Sequence, residues 1–253
     1  MKTMSASHAE APGATPVSAA PAAAGARPSR RIIDAPTRAF HWLMALSFLG
    51  AYLTADGERW RLVHVTLGYT LVGLIVFRLL WGLLGPRSVR LSVWAGKLRG
   101  IQPFVQSLRA GRVNWQAGQN ILQTLAIVAL LAGLVLTAAS GYAVYEDLSG
   151  EWMEEVHDLL GNAALAIIGF HVALVLAGSL LRRQNLALTM ITGRTPGRGP
   201  DLVKRNRLPL AILLLVCVLA GWAWQWQTAP SADGAGGSPA VSARASGHDG
   251  DDD

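Results

Sequence analysis

The stretch HDLLGNAALAIIGFHVALVLAGSLL, residues 157–181, is apolar apart from a few polar side chains, and it holds two histidines. It is longer than the roughly 20 residues that a helix needs to cross a bilayer core. Backbone in lipid must satisfy its own hydrogen bonds, so such a run is read as helix. His157 and His171 are fourteen residues apart. A helix rises about 1.5 Å and turns about 100° per residue, so His171 lies about 21 Å further along the axis and about 40° off the same face. One stripe of this helix therefore carries an ionisable side chain at two depths.

The rest of the chain is built to the same plan. Of its 253 residues 51% are hydrophobic and 15% charged, and mean hydropathy is +0.33. Four further apolar runs are expected to span: about 40–54, His64–Leu84 closed by Gly85-Pro86, about 120–139, and Leu208–Trp226. In the last run Trp222, Trp224 and Trp226 suggest an interfacial belt. The short alternating segments of a β-barrel are missing. The expected fold is an all-α integral membrane protein: a four-helix transmembrane bundle plus a fifth, C-terminal transmembrane helix. Residues 1–30, rich in Ala, Pro and Ser, and 227–253, rich in Gly, Ser and Ala, read as disordered tails. Residues 31–195 then form the four-helix domain, and 196–226 a basic linker with the fifth span.

The net charge of +6 does not point to nucleic acid, because the bases sit between the apolar runs. Residues 1–40 carry five bases and two acids, 86–112 six bases and no acid, and 182–207 seven bases against Asp201. The 55–63 connection is neutral, and 140–156 holds Glu146, Asp147, Glu151, Glu154 and Glu155 without a base. The bias of Lys and Arg toward the cytoplasm places the N-terminus, 86–112 and 182–207 on the cytoplasmic side of the membrane, with the short outer loops and the C-terminus on the far side. The single cysteine, Cys217, excludes an internal disulfide, a cysteine-rich iron–sulfur site and covalent c-type haem attachment.

Four histidines remain once His8 and His248, in the expected tails, are set aside. His41, His64, His157 and His171 all lie in or at the ends of spans, where an ionisable group is costly and marks function. The alternation of spans puts His64 level with His157 near the outer face, and His41 level with His171 near the inner one. Neutral imidazole is an axial ligand of haem iron. Two bis-histidine haems, His64 with His157 and His41 with His171, account for the pattern better than four unrelated polar contacts. The pairs are too far apart for one metal ion, and no Cys, Asp or Glu in the helices completes a zinc set.

Neighbouring residues admit two readings each. Gly68 and Gly161 stand four residues after His64 and His157, on the same faces, and suit either haem clearance or helix packing, as do Gly50, Gly73, Gly169 and Gly178. Arg78 follows His64 by fourteen residues and either pairs with a propionate of the inner haem or snorkels to the cytoplasmic surface. Tyr69, Trp42 and Trp81 read as packing or interfacial residues.

DAPTRAFHW at 34–42, the His64 helix ending FRLLWGLLGPR at 77–87, His157 and His171 on one helix, and LTMITGR at 188–194 together resemble the bacterial cytochrome b561 and nickel–iron-hydrogenase b-type cytochrome family. The resemblance covers about residues 30–195. It implies a four-helix membrane cytochrome holding two haem b groups on His41, His64, His157 and His171. Electrons would pass between a membrane quinone and a redox partner, such as a periplasmic cytochrome or dehydrogenase subunit, with quinol oxidation or quinone reduction as the accompanying activity. The alternatives are a membrane-anchoring cytochrome b subunit of a hydrogenase or other dehydrogenase, and a non-redox transporter or scaffold. The tails and the fifth span exceed the family pattern.

Overall fold

The computed structural model describes residues 28–112 and 114–229, so His8, His248 and nearly all of both expected tails lie outside the described residues. Among the described residues the regular structure is helical apart from one short strand pair. Its elements are β1 (Ser29–Arg31), α1 (Ala35–Leu53), α2 (Arg61–Leu84), α3 (Leu91–Arg99), α4 (Ile101–Arg109), α5 (Trp115–Tyr145), α6 (Trp152–Arg182), α7 (Leu186–Thr192), β2 (Arg194–Pro196) and α8 (Leu208–Thr228).

Among the described residues, four helices are long and apolar enough to cross a membrane: Glu58–Leu84, which takes in α2 and the 3-10 turn before it, and α5, α6 and α8. Helix α1, the first of the five expected spans, is not among them. It has 19 residues, about 28 Å of rise, but Arg38, His41, Ser47, Pro36 and Gly50 dilute its apolar stretch. It nevertheless packs along both α2 and α8. The outward faces of the long helices carry exposed leucines such as Leu80, Leu176 and Leu213, as a lipid-facing surface requires.

Helix ends extend past the apolar runs. Helix α5 begins at Trp115, capped by Asn114 accepting from the Ala117 amide at 3.1 Å, and continues to Tyr145. Ser140 and Gly141, expected in the acidic connection, are therefore helical. Helix α1 starts at a fully buried Asp34, whose Oδ1 accepts from the Thr37 amide at 3.2 Å, with Pro36 in the first turn.

Two sequence pieces far apart in the chain, 34–42 and 188–194, meet at one end of the bundle. Strands β1 and β2 pair antiparallel, Ser29 opposite Pro196 and Arg31 opposite Arg194. Arg38 donates to the Ile191 carbonyl at 2.5 Å and Trp42 Nε1 to the Met190 carbonyl at 3.1 Å. Gly193 closes α7 in the left-handed region, φ +73°, and a Cβ there would meet the Ile33 carbonyl at 2.6 Å. No other residue type combines that backbone angle with that approach.

Met44, Phe48, Leu71, Leu74, Ile75, Leu134 and Ala164 form the core. Ala164 lies midway between His157 and His171, seven residues from each. Helix α6 packs closely on α5 and α7, whereas close packing of α6 against α1 or α2 is absent among the described residues. Ala164 therefore closes a waist in this core, and toward the His157 end space opens between α6 and the α1–α2 pair. Helix α8 is tied to the bundle near both of its ends. Arg207 Nη1 is 3.9 Å from Asp34 Oδ2, and its guanidinium sits 5.3 Å from the centre of the Trp81 ring. Trp222 Nε1 donates to Thr70 Oγ1 at 2.8 Å. Trp222 is thus half-buried against a protein partner, while Trp224 and Trp226 stay exposed.

Candidate functional site

The space beside α6 at the His157 end is a cavity of about 760 Å³. Apolar side chains of α1, α2 and α5 line it, among them Phe48, Leu71, Ile75 and Leu134; α6 contributes Asp158, Gly161 and Asn162, and both His64 and His157 face it. The two imidazoles are set edge to face, with ring centroids 6.0 Å apart and planes at 84°. Metal–imidazole bonds of about 2 Å on opposite sides of one ion, with the ring radii added, bring centroids to about that separation. Gly68 and Gly161 also line the cavity, and a Cβ on either would meet nothing within 4 Å. Space is therefore left one turn from each histidine. Gly50 and Gly178 instead serve close packing: a Cβ on the first would come within 2.7 Å of Leu67 Cδ1, and one on the second would run into the Gln119 side chain.

What holds each imidazole decides which nitrogen it offers. His64 Nδ1 lies 2.8 Å from the Ala51 carbonyl. His157 Nδ1 lies 3.0 Å from the Thr137 carbonyl and 3.1 Å from Ser140 Oγ. A carbonyl can only accept, so in both rings Nδ1 carries the proton and Nε2 keeps a lone pair for a metal. This is the usual outer arrangement of a ligating histidine. Behind His157, α5 passes so close that a Cβ on Gly141 would come within 2.7 Å of Cε1.

At the other end His171 Nδ1 lies 3.0 Å from Gln123 Nε2. Gln123 and Thr137 are fourteen residues apart on α5, as His171 and His157 are on α6. Running antiparallel to α6, α5 thus supplies a partner to each of its histidines. His41 Nδ1 is buried without a hydrogen-bond partner among the described residues. His41 and His171 are near enough to act on each other electrostatically, but their rings do not meet as those of His64 and His157 do. Arg78 is 7% exposed and does not snorkel. Its Nη2 donates to the Val89 carbonyl at 3.2 Å, its guanidinium stacks 4.4 Å from the centre of the Trp94 ring, and Nη1 is buried without a partner.

Ser140, Gly141, Thr137 and Gln123 carry no mark in the sequence. Ser, Gly and Thr are ordinary in membrane helices, and only the antiparallel register of α5 on α6 brings them to the histidines. Among the described residues no group of three or more His, Cys, Asp or Glu side chains stands together as a metal site. A histidine pair holds iron when a macrocycle supplies the remaining ligands. The cavity volume, within the roughly 300–1,000 Å³ usual for cofactor sites, the largely apolar lining, the two imidazoles at its edge and the two open glycines fit such a group.

A helical membrane protein with histidines paired across its bundle is the architecture of a membrane cytochrome. The family model for prokaryotic cytochrome b561 matches residues 32–193, and the chain belongs to that family. Comparison with curated proteins and with solved structures finds no match. The chain is a cytochrome b561-like membrane protein of electron transport.

Proposed function

We propose that this chain is a di-haem b cytochrome that transfers electrons between a membrane quinone and a redox partner. The observation that carries the reading is the facing pair His64 and His157, 6.0 Å between centroids beside a cavity of about 760 Å³, with each Nδ1 engaged and each Nε2 left for iron. Haem b, when bound, supplies a one-electron iron couple. The residues of this chain do the rest. His64 and His157 hold the outer group, and His41 and His171 the inner one. With haem bound, two histidines would ligate each iron, which would favour outer-sphere electron transfer over oxygen or substrate activation. Gly68 and Gly161 leave clearance for the outer macrocycle, and Phe48, Leu71, Ile75 and Leu134 give it apolar walls. Arg78, buried with Nη1 free and fourteen residues along α2 from His64, is the donor for an inner propionate. The Met44–Phe48–Leu74–Ala164 waist separates the two groups with a layer of apolar side chains.

In this reading residues 31–195 are the haem-binding unit, in which α1 crosses beside α2, and 196–226 add a basic linker and a fifth span. Basic segments at 1–40, 86–112 and 182–207 face the cytoplasm of a bacterial inner membrane, and the C-terminus is periplasmic. The acidic 146–155 stretch is the docking surface for a basic periplasmic cytochrome or dehydrogenase subunit.

The test is a pyridine haemochrome assay with a reduced-minus-oxidised spectrum on purified protein. Two haem b groups per chain are expected, and protein that purifies folded without haem overturns the reading. Replacing His64 or His157 by Ala should remove one haem, and replacing His41 or His171 the other. A protein that keeps one haem intact after joint loss of His41 and His64 contradicts the pairing.

A further inference from the structure

The inner end of the α5–α6 seam is polar where a membrane bundle is otherwise apolar. Arg182 Nε donates to Gln119 Oε1 at 3.2 Å, and Arg182 Nη2 donates to Asn120 Oδ1 at 2.8 Å. Gln119 Nε2 in turn donates to the Leu174 carbonyl at 3.2 Å, one turn from His171 on the same stripe of α6. Gln123, one turn beyond Gln119 on α5, completes the row at His171 Nδ1, 3.0 Å away. Amides half-buried between helices cost less when bonded, and each amide in this row has a partner. Gly178 belongs to the same device, since its missing side chain is the space that the Gln119 amide fills.

Ligation through Nε2 leaves Nδ1 of His171 protonated, and a protonated Nδ1 needs an acceptor. The two ends of a glutamine amide are interchangeable by rotation about its last bond. Among the described residues Gln123 makes no hydrogen bond except this one, so turning Oε1 toward the ring breaks nothing. We infer that Gln123 is the positioning residue of the inner haem: its amide oxygen accepts from His171 Nδ1, fixes the tautomer that presents Nε2, and sets that haem's reduction potential through the basicity of the ligand. The inference rests on the di-haem reading. A stronger acceptor makes the imidazole a better donor and favours ferric iron, and loss of the acceptor does the reverse. The outer pair relies on backbone carbonyls of Ala51 and Thr137, so the inner ligand is the one whose hydrogen bond a single side chain controls.

The experiment is potentiometric titration of the full-length protein, with each haem assigned from His171→Ala and His157→Ala. Gln123→Leu removes the acceptor, and Gln123→Asn shortens the amide out of reach while keeping its polarity. Both should raise the potential of the inner haem and change its low-spin ferric EPR signal. Gln123→Glu offers a carboxylate and should lower that potential. The outer haem should stay where it is in all three. If Gln123→Leu does not fold, Asn and Glu still give opposite shifts. Unshifted potentials, shifts of one sign throughout, or a shift of the outer haem instead overturn the inference. Wild-type protein without haem overturns the proposed function itself, before any variant is made.

Discussion

Gly141 shows how much a single absent side chain can decide. The α5 backbone passes directly behind the His157 ring, and a Cβ would stand 2.7 Å from Cε1 and 3.2 Å from Nδ1. Neither contact can relax by moving a flexible tip, because Nδ1 is bonded to Thr137 and Ser140. Gly141→Val should therefore displace the imidazole and take the haem content from two per chain to one, read by pyridine haemochrome. Gly133→Ala, on the same helix with nothing within 4 Å of the added carbon, is the matched control and should keep both. The four histidines were legible from the sequence because an imidazole in a membrane helix is expensive and rare. Gly141, Ser140, Thr137 and Gln123 were not, because their types are common there and their meaning comes from a neighbour on another helix.

Among the elements, the apolar runs located α2, α5, α6 and α8, but their ends were drawn too short. Hydropathy falls where Ser, Gly and Tyr replace Leu, whereas a helix persists until its backbone is capped or broken; α5 accordingly runs to Tyr145. Helix α1 shows the converse, a helix whose polar residues keep it from meeting the apolarity of a span even as it packs along α2 and α8. The fifth helix reads in sequence as an addition, yet it bonds to α2 through Trp222 and to the cap of α1 through Arg207. Interhelical side-chain hydrogen bonds in membranes are worth about 0.6 kcal/mol on average. Trp222→Phe should thus lower the thermal stability of the detergent-solubilised protein slightly and leave haem content unchanged. Loss of haem in that variant would mean that α8 supports the site itself.

At the scale of the whole molecule, charge orders the proposed topology. Basic segments alternate with neutral or acidic ones along the chain, and lipid-facing leucines cover the outside. In a Cys217→Ser background, a membrane-impermeant maleimide should label Glu58→Cys and Leu148→Cys in spheroplasts. Arg109→Cys should react only after the membrane is opened. Labelling of Glu58→Cys and Leu148→Cys on opposite sides would break the alternation, and labelling of Arg109→Cys first would reverse the orientation.

Sequence alone determined that helices cross a membrane, that charge orders their ends, and that His157 and His171 share a stripe about 21 Å long. Those properties belong to one helix or one loop at a time, so periodicity, length and composition carry them. Only the tertiary structure decided that a cavity opens between α6 and the α1–α2 pair at the His157 end, and that the His64 and His157 rings stand 6.0 Å apart beside it. It alone decided that α5 supplies the groups orienting the α6 histidines. The physical reason is that a gap, a facing pair and a hydrogen bond across helices depend on the register between segments. Side chains one turn apart on one helix are neighbours by construction, whereas Gln123 and His171 become neighbours only when α5 and α6 pack antiparallel.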